Sequence, residues 1–242
     1  MNRLGRAMLL LSLGLVAAGL IRTGGYGWFV QQRMLWPLVF AAVVLVLLGT
    51  YEAVQGVRQE LKVPDSKRWG VAPVVGWLLL LPLVVLIGVS PAGLGAAAAG
   101  RVEAFTPTDQ TDTFGPLNAS NGPVEMRVYD FLDRALWDTD ESLDGVPVRL
   151  EGLVVNDERV PDGFMLTRFM VSCCAADGIP LQVAVRGVEA PLPNDTWVVV
   201  DLMWQAPEVP YAEAGGATIV EADVIGVTPV PEAPNDPYES PF

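Results

Sequence analysis

The chain has 242 residues, 51% of them hydrophobic, yet 28 acidic residues outnumber 15 basic ones for a net charge of −13. It has no histidine and only two cysteines. That excludes Ser-His-Asp triads, Cys-His dyads, imidazole metal ligands, a disulfide framework and a four-cysteine zinc site within one chain. The two unusual properties sit in different halves. Residues 1–100 carry eight basic and three acidic residues (+5), whereas residues 101–242 carry seven arginines, no lysine and 25 acidic residues (−18).

Three uncharged apolar stretches occupy the basic half, at residues 7–21, 34–51 and 71–89. A helix rises about 1.5 Å per residue, so roughly 20 residues cross a hydrocarbon core of about 30 Å. The second and third qualify directly; the first is marginal in length, with Leu4 and Gly5 extending it past a snorkelling Arg6. Its basic start and small residues Ala17, Ala18 and Gly19 also fit a signal peptide, and a retained helix is the reading adopted. The third contains Pro82, which a bilayer helix tolerates. The expectation is a three-helix transmembrane region over residues 1–90.

Lys and Arg orient it. Arg3, Arg6, Arg58, Lys62, Lys67 and Arg68 flank one side, against Arg22 and Arg33 on the other. The N-terminus and second loop are therefore cytoplasmic, and the acidic half lies outside the cell membrane. Trp28 and Trp36, with Trp69 and Trp77, mark the interfaces. The spans hold no Asp, Glu, Lys or Arg, the residues that ion and proton pathways use. They read as an anchor or a helix-docking surface.

Residues 91–122, rich in small and polar residues, read as a tether. Val124, Val128, Phe131, Leu132, Ala135 and Leu136 then recur at helical spacing, predicting one amphipathic helix. A turn follows at 142–145. Five strand-like runs come next, at 146–155, 163–174, 179–188, 196–204 and 217–227. Five strands of this length predict a small closed or half-closed β-barrel, OB-like in strand count, over an extracytoplasmic domain at 123–228. A small sandwich is the competing topology. Residues 229–242 hold five prolines, so they are read as a disordered tail. A domain of charge −18 without lysine does not bind nucleic acid.

The densest chemistry is LTRFMVSCCAAD at 166–177. It sets Arg168 before the adjacent Cys173 and Cys174, with Asp177 following. In a regular strand the two thiols point to opposite faces. A turn over the next residues would let both sulfurs converge. Three readings stand: structural thiols, a thiolate-bound soft metal held with Asp177, or a redox pair. Arg168 either lowers a thiol pKa or pairs with Asp177. Without histidine, zinc would need carboxylates, water or a second copy of the chain to complete four ligands.

The third apolar stretch with its exit (GWLLLLPL at 76–83, PAGLG at 91–95), the helix ending in SLDG at 142–145, and LTRF with CCAADGIP at 166–180, followed by TWV at 196–198, resemble the YcgQ-like family of uncharacterised bacterial membrane proteins. These are described as permease subunits. The resemblance implies a multi-span permease as partner. Many members carry a His-rich stretch between the second and third spans, whereas residues 52–70 here have no histidine. The expected function is a non-enzymatic accessory subunit of a permease, with an extracytoplasmic domain that binds a soft metal or small ligand through the vicinal cysteines. Two alternatives are a thiol-redox domain and a structural anchor bearing an acidic protein-binding domain.

Overall fold

The computed structural model describes residues 3–60, 93–101, 114–207, 219–234 and 236–240. The expected third span at 71–89 lies outside the described residues. The chain forms two compact units, Met1–Gly93 and Leu94–Phe242.

In the first unit, α1 (Arg3–Thr23) and α2 (Leu35–Glu60) form a helical hairpin. Both are long and apolar enough to cross a membrane, over Gly5–Thr23 and Gln32–Gln59. Gly24, in the left-handed region at φ 75°, ends α1, as glycine permits. Hydroxyls inside the apolar helices bond their own backbone: Ser12 Oγ donates to the Leu9 carbonyl at 2.9 Å and Thr50 Oγ1 to that of Leu47 at 2.8 Å. Large apolar side chains point outward from α2, among them Trp36, Phe40, Leu47 and Tyr51. A water-facing helix would bury such a stripe.

Glycine sets how closely the two helices approach, as small residues do between apolar helices. A Cβ on Gly14 would lie 2.8 Å from Val46 Cγ2 and 3.3 Å from the Ala42 carbonyl oxygen. One on Gly49 would lie 2.8 Å from Leu11 Cγ and 3.0 Å from the Leu11 backbone nitrogen. Gly49→Val is therefore expected to cost about 1–3 kcal/mol through overpacking, read as a lowered unfolding midpoint in detergent. Gly19→Ala, which meets nothing within 4 Å, should leave that midpoint unchanged.

The second unit is a β-sheet with short helices. Its strands are β1 (Val124–Glu125), β2 (Pro147–Val155), β3 (Gly163–Met170), β4 (Ile179–Arg186), β5 (Trp197–Met203), β6 (Val220–Pro229) and β7 (Tyr238–Glu239). The sheet order is β1-β2-β5-β6-β4-β3-β7, with an additional β2–β3 pairing. The pairings therefore run in a circuit. β2 meets β3 and β5 antiparallel, β3 meets β4 antiparallel, β5 meets β6 antiparallel, and β4 meets β6 parallel. Four of the five expected strand segments each contain one of these circuit strands, and the fifth, 217–227, stops short of the end of β6 at Pro229.

Alternation sorts the side chains into two cores, as a period of two requires. Val148, Leu150 and Val154 of β2, Phe164 and Leu166 of β3, Leu181, Val183 and Val185 of β4, and Val198, Val200 and Leu202 of β5 share the larger core. Leu153, Met165, Phe169, Ala184, Trp197 and Tyr238 face a second one. Helix α4 (Val128–Trp137) closes the first core with Val128, Phe131, Leu132 and Ala135.

Three expectations need correction. The amphipathic helix begins at Val128, not Val124, because Val124 and Glu125 pair in parallel with Val148 and Arg149 of β2. The tether reading fails over 93–101. There the short helix α3 (Ala96–Ala99) buries Ala99 in the second core, and Asp195 Oδ1 accepts the Ala96 amide at 2.6 Å. The disordered-tail reading fails over 236–240. Tyr238 and Glu239 pair in parallel with Phe169 and Met170 of β3, and both are buried. The acidic domain is thus built from more of the chain than residues 123–228.

Candidate functional site: a dithiol turn at the end of β3

Strand β3 ends at Met170, so the expected strand to Cys174 stops four residues short. Val171 still donates its amide to the Glu239 carbonyl at 2.9 Å, and the chain then leaves the sheet. Cys174 is extended, and a 3-10 turn over Ala175–Asp177 brings Asp177 back under the cysteines. The Asp177 carboxylate fastens the turn: Oδ1 accepts the Ser172 amide at 3.0 Å and Oδ2 the Cys173 amide at 2.8 Å. A side chain that captures nearby backbone amides in this way competes with continued strand. Gly178, next along, lies under Leu94. A Cβ there would come within 2.2 Å of Leu94 Cδ1, and the Leu94 amide donates to the Tyr238 hydroxyl at 3.2 Å. Leu94 and the tail thus buttress the turn.

The turn converges the two thiols. One ligand atom from each of Cys173, Cys174 and Asp177 lies within 4.8 Å of the others. Both cysteines are free; Cys173 is exposed and Cys174 half-buried. Hydrogen bonding to the Asp177 carboxylate, then to the Cys174 thiol, pushes the Cys173 thiol up to about 11. Burial works to raise Asp177, but the Cys173 thiol and the amides of Cys173, Ser172 and Cys174 together hold it below the ordinary carboxylate value. The resting turn is a neutral Cys173 thiol resting on a carboxylate anion.

Arg168 does not join this cluster. Its guanidinium lies over the Trp197 ring at 5.0 Å, Nη2 donates to the Asp236 carbonyl at 2.9 Å, and Nε stands 3.9 Å from Glu239 Oε1. Burial pulls its pKa down, against the opposing pull of Glu239, Glu151 and Asp236. The expectation that Arg168 acidifies a thiol or pairs with Asp177 is therefore corrected. The shift at Cys173 is upward, and the partner carboxylate is Glu239.

Residues 94, 238 and 239 were not singled out from the sequence. Glu239 accepts the Val128 amide at 2.8 Å and the Tyr129 amide at 2.9 Å, so it caps α4 from the far end of the domain. Three residues between Pro237 and Pro241 gave no periodic signal that could have revealed this.

Fold and site together define a β-domain with an exposed dithiol turn, on a chain that begins with two helices of membrane-spanning length. Residues 125–237 match the DUF1980 C-terminal domain, an uncharacterised domain family. No curated protein matches the chain. Among solved structures, one from Leishmania major Friedlin described as an aspartyl-tRNA synthetase is similar at 14% identity with a TM-score of 0.27, covering 57% of this chain. The chain spans 25% of that protein's length, and a likeness of this degree carries no argument about fold or function.

Proposed function

We propose that this protein is a membrane-anchored, non-enzymatic accessory subunit of a multi-span permease, whose outer domain binds a thiophilic metal ion at Cys173, Cys174 and Asp177. The observation that carries the metal reading is the convergence of three ligand atoms within 4.8 Å in one exposed turn. Two sulfurs and a carboxylate are soft-biased donors, and their exposure leaves an entry path. The circuit of five strand pairings supports reading the domain as an OB-like closed barrel. The apolar hairpin, with the basic and acidic halves of the sequence, supports an N-terminus inside the cell and an acidic domain outside. The permease partner rests on the resemblance to the YcgQ-like family. A second copy of the chain is a further partner that an exposed, incompletely filled ligand set accommodates.

The test is purification of the full chain from membranes under reducing conditions, with metal analysis and identification of co-purifying membrane proteins. Wild type is expected to retain about one metal ion per chain and a permease. The Cys173→Ser/Cys174→Ser double variant should lose the metal and keep the permease. Equal metal in both proteins would refute the metal reading, and absence of any permease would refute the subunit reading. Recovery of a Cys173–Cys174 disulfide as the resting state would favour redox chemistry instead.

A further inference from the structure

The donors of the dithiol turn can be counted. A carboxylate has about four lone-pair positions. At Asp177 the acceptor positions face four donors: the amides of Ser172, Cys173 and Cys174, and the Cys173 thiol. The three amide bonds hold the turn closed, so they persist as long as the turn does. Only the position facing Cys173 becomes free when a metal ion replaces that thiol's proton. Asp177 is thus chiefly a positioning residue. The turn offers two sulfurs and at most one oxygen lone pair.

The chain has no histidine and no third cysteine. Among the described residues, the only group of metal-ligating side chains that could hold an ion is Cys173, Cys174 and Asp177. Zinc sites close with four ligands when structural and use three protein ligands plus water when catalytic. Thiolate donors select softer ions, Cu(I) among them, and a monovalent d10 ion needs no four-coordinate cage.

We infer that the turn is a low-coordinate site for a monovalent d10 cation of the copper(I) class, held by the Cys173 and Cys174 thiolates with at most one oxygen of Asp177. The inference rests on the metal reading above and narrows it. On binding, the ion takes two thiolate electron pairs, and the two thiol protons pass to water; no redox change accompanies the step. Because both sulfurs lie in one exposed turn, a further thiolate can enter the coordination sphere from solvent. Such a site exchanges its ion with other thiols readily.

The test uses the full chain in detergent, anaerobic and fully reduced, titrated with Cu(I) against a colorimetric Cu(I) chelator and separately with Zn(II) against a chromophoric zinc chelator. The expected result is one Cu(I) per chain, bound at least 100-fold more tightly than Zn(II). X-ray absorption should show two sulfur neighbours and at most one light-atom neighbour. Cys173→Ser and Cys174→Ser should each weaken Cu(I) by at least 100-fold. Asp177→Asn, which keeps one acceptor for the turn, should cost less than tenfold. Zinc binding as tight as copper, or a four-coordinate copper spectrum, overturns the low-coordinate inference while leaving the metal reading standing. Failure of both ions to bind wild type overturns the metal reading itself. Thermal unfolding of each variant separates lost ligation from lost fold, because single serine substitutions at an exposed or half-exposed turn leave both cores intact.

Discussion

The apparent affinity of the dithiol turn for its metal ion is expected to fall at least about tenfold for each pH unit of acidification. The metal binds thiolates, so a protonated thiol must lose its proton to become a ligand. Cys173 is pushed up to about 11, because its proton bridges to the Asp177 carboxylate and its sulfur neighbours Cys174. Below that value the metal must displace the Cys173 proton, so the logarithm of the affinity changes by at least about one per pH unit. The sign is fixed: protons compete with metal, and acidification releases it. A competition titration from pH 6 to 9 reads this slope directly, and a slope near zero would mean that the thiols are not the ligands.

The same geometry makes a prediction about reactivity. Replacing Asp177 with Asn removes the anion that holds the Cys173 proton. If the thiol returns from about 11 toward its ordinary value, the thiolate fraction at pH 7 rises by about two orders of magnitude. A lower pKa also makes each thiolate less nucleophilic, with a Brønsted slope of about 0.4–0.5. The net gain in alkylation rate is about tenfold. The measurement is best made in a Cys174→Ser background so that one thiol reports.

The strands were legible because their environment is simple. Val148, Leu150 and Val154 alternate with residues that face the other side of the sheet, and one face of the circuit is buried in the larger core. A period of two in the sequence therefore survives into the structure. The apolar runs of α1 and α2 were legible for a related reason: a span needs length and apolarity and little else. Failures came where a single polar side chain overrides the local pattern. Val171, Ser172 and Cys173 look like continued strand, and Asp177 captures two of their amides and bends them away. The start of α4 was misread because no side chain at Arg127 caps it; the cap is Glu239, over a hundred residues later. The sequence reading pairs Arg168 with Asp177 of the same short segment, whereas in space its neighbours are Glu239 and Trp197. Local statistics find elements whose partners are local or generic. They miss elements fixed by one distant ion or cap.

That distant cap leads to the largest expected loss of stability in the domain. Glu239 joins three elements: its backbone pairs with the end of β3, its carboxylate oxygens accept the first amides of α4, and its charge faces the buried Arg168. Removing a helix cap costs about 0.5–2 kcal/mol. Removing one partner of a buried ion pair costs about 3–5 kcal/mol, because the other charge stays buried. Glu239→Ala combines both, but the 3.9 Å separation is long for an ion pair and the Asp236 carbonyl and Trp197 ring remain with Arg168. The expected cost is therefore about 3 kcal/mol, seen as a lowered denaturant midpoint of the full chain in detergent. Arg168→Met in the Glu239→Ala background should recover part of this, since it removes the stranded charge. Glu239→Gln should cost less than Ala, because it keeps an acceptor for α4. The glutamine variant should also alter the pH profile. Burial raises the pKa of Glu239, against the pull of the Tyr129 and Val128 amides and of Arg168 and Arg127. With the folded value above the unfolded one, its protonation favours the folded state below the ordinary glutamate pKa, and that contribution is lost as the pH rises through the folded value. Gln cannot titrate, so this part of the pH dependence should vanish. A Glu239→Ala variant as stable as wild type would mean that the tail adds nothing to the domain and that α4 is held by its apolar face alone.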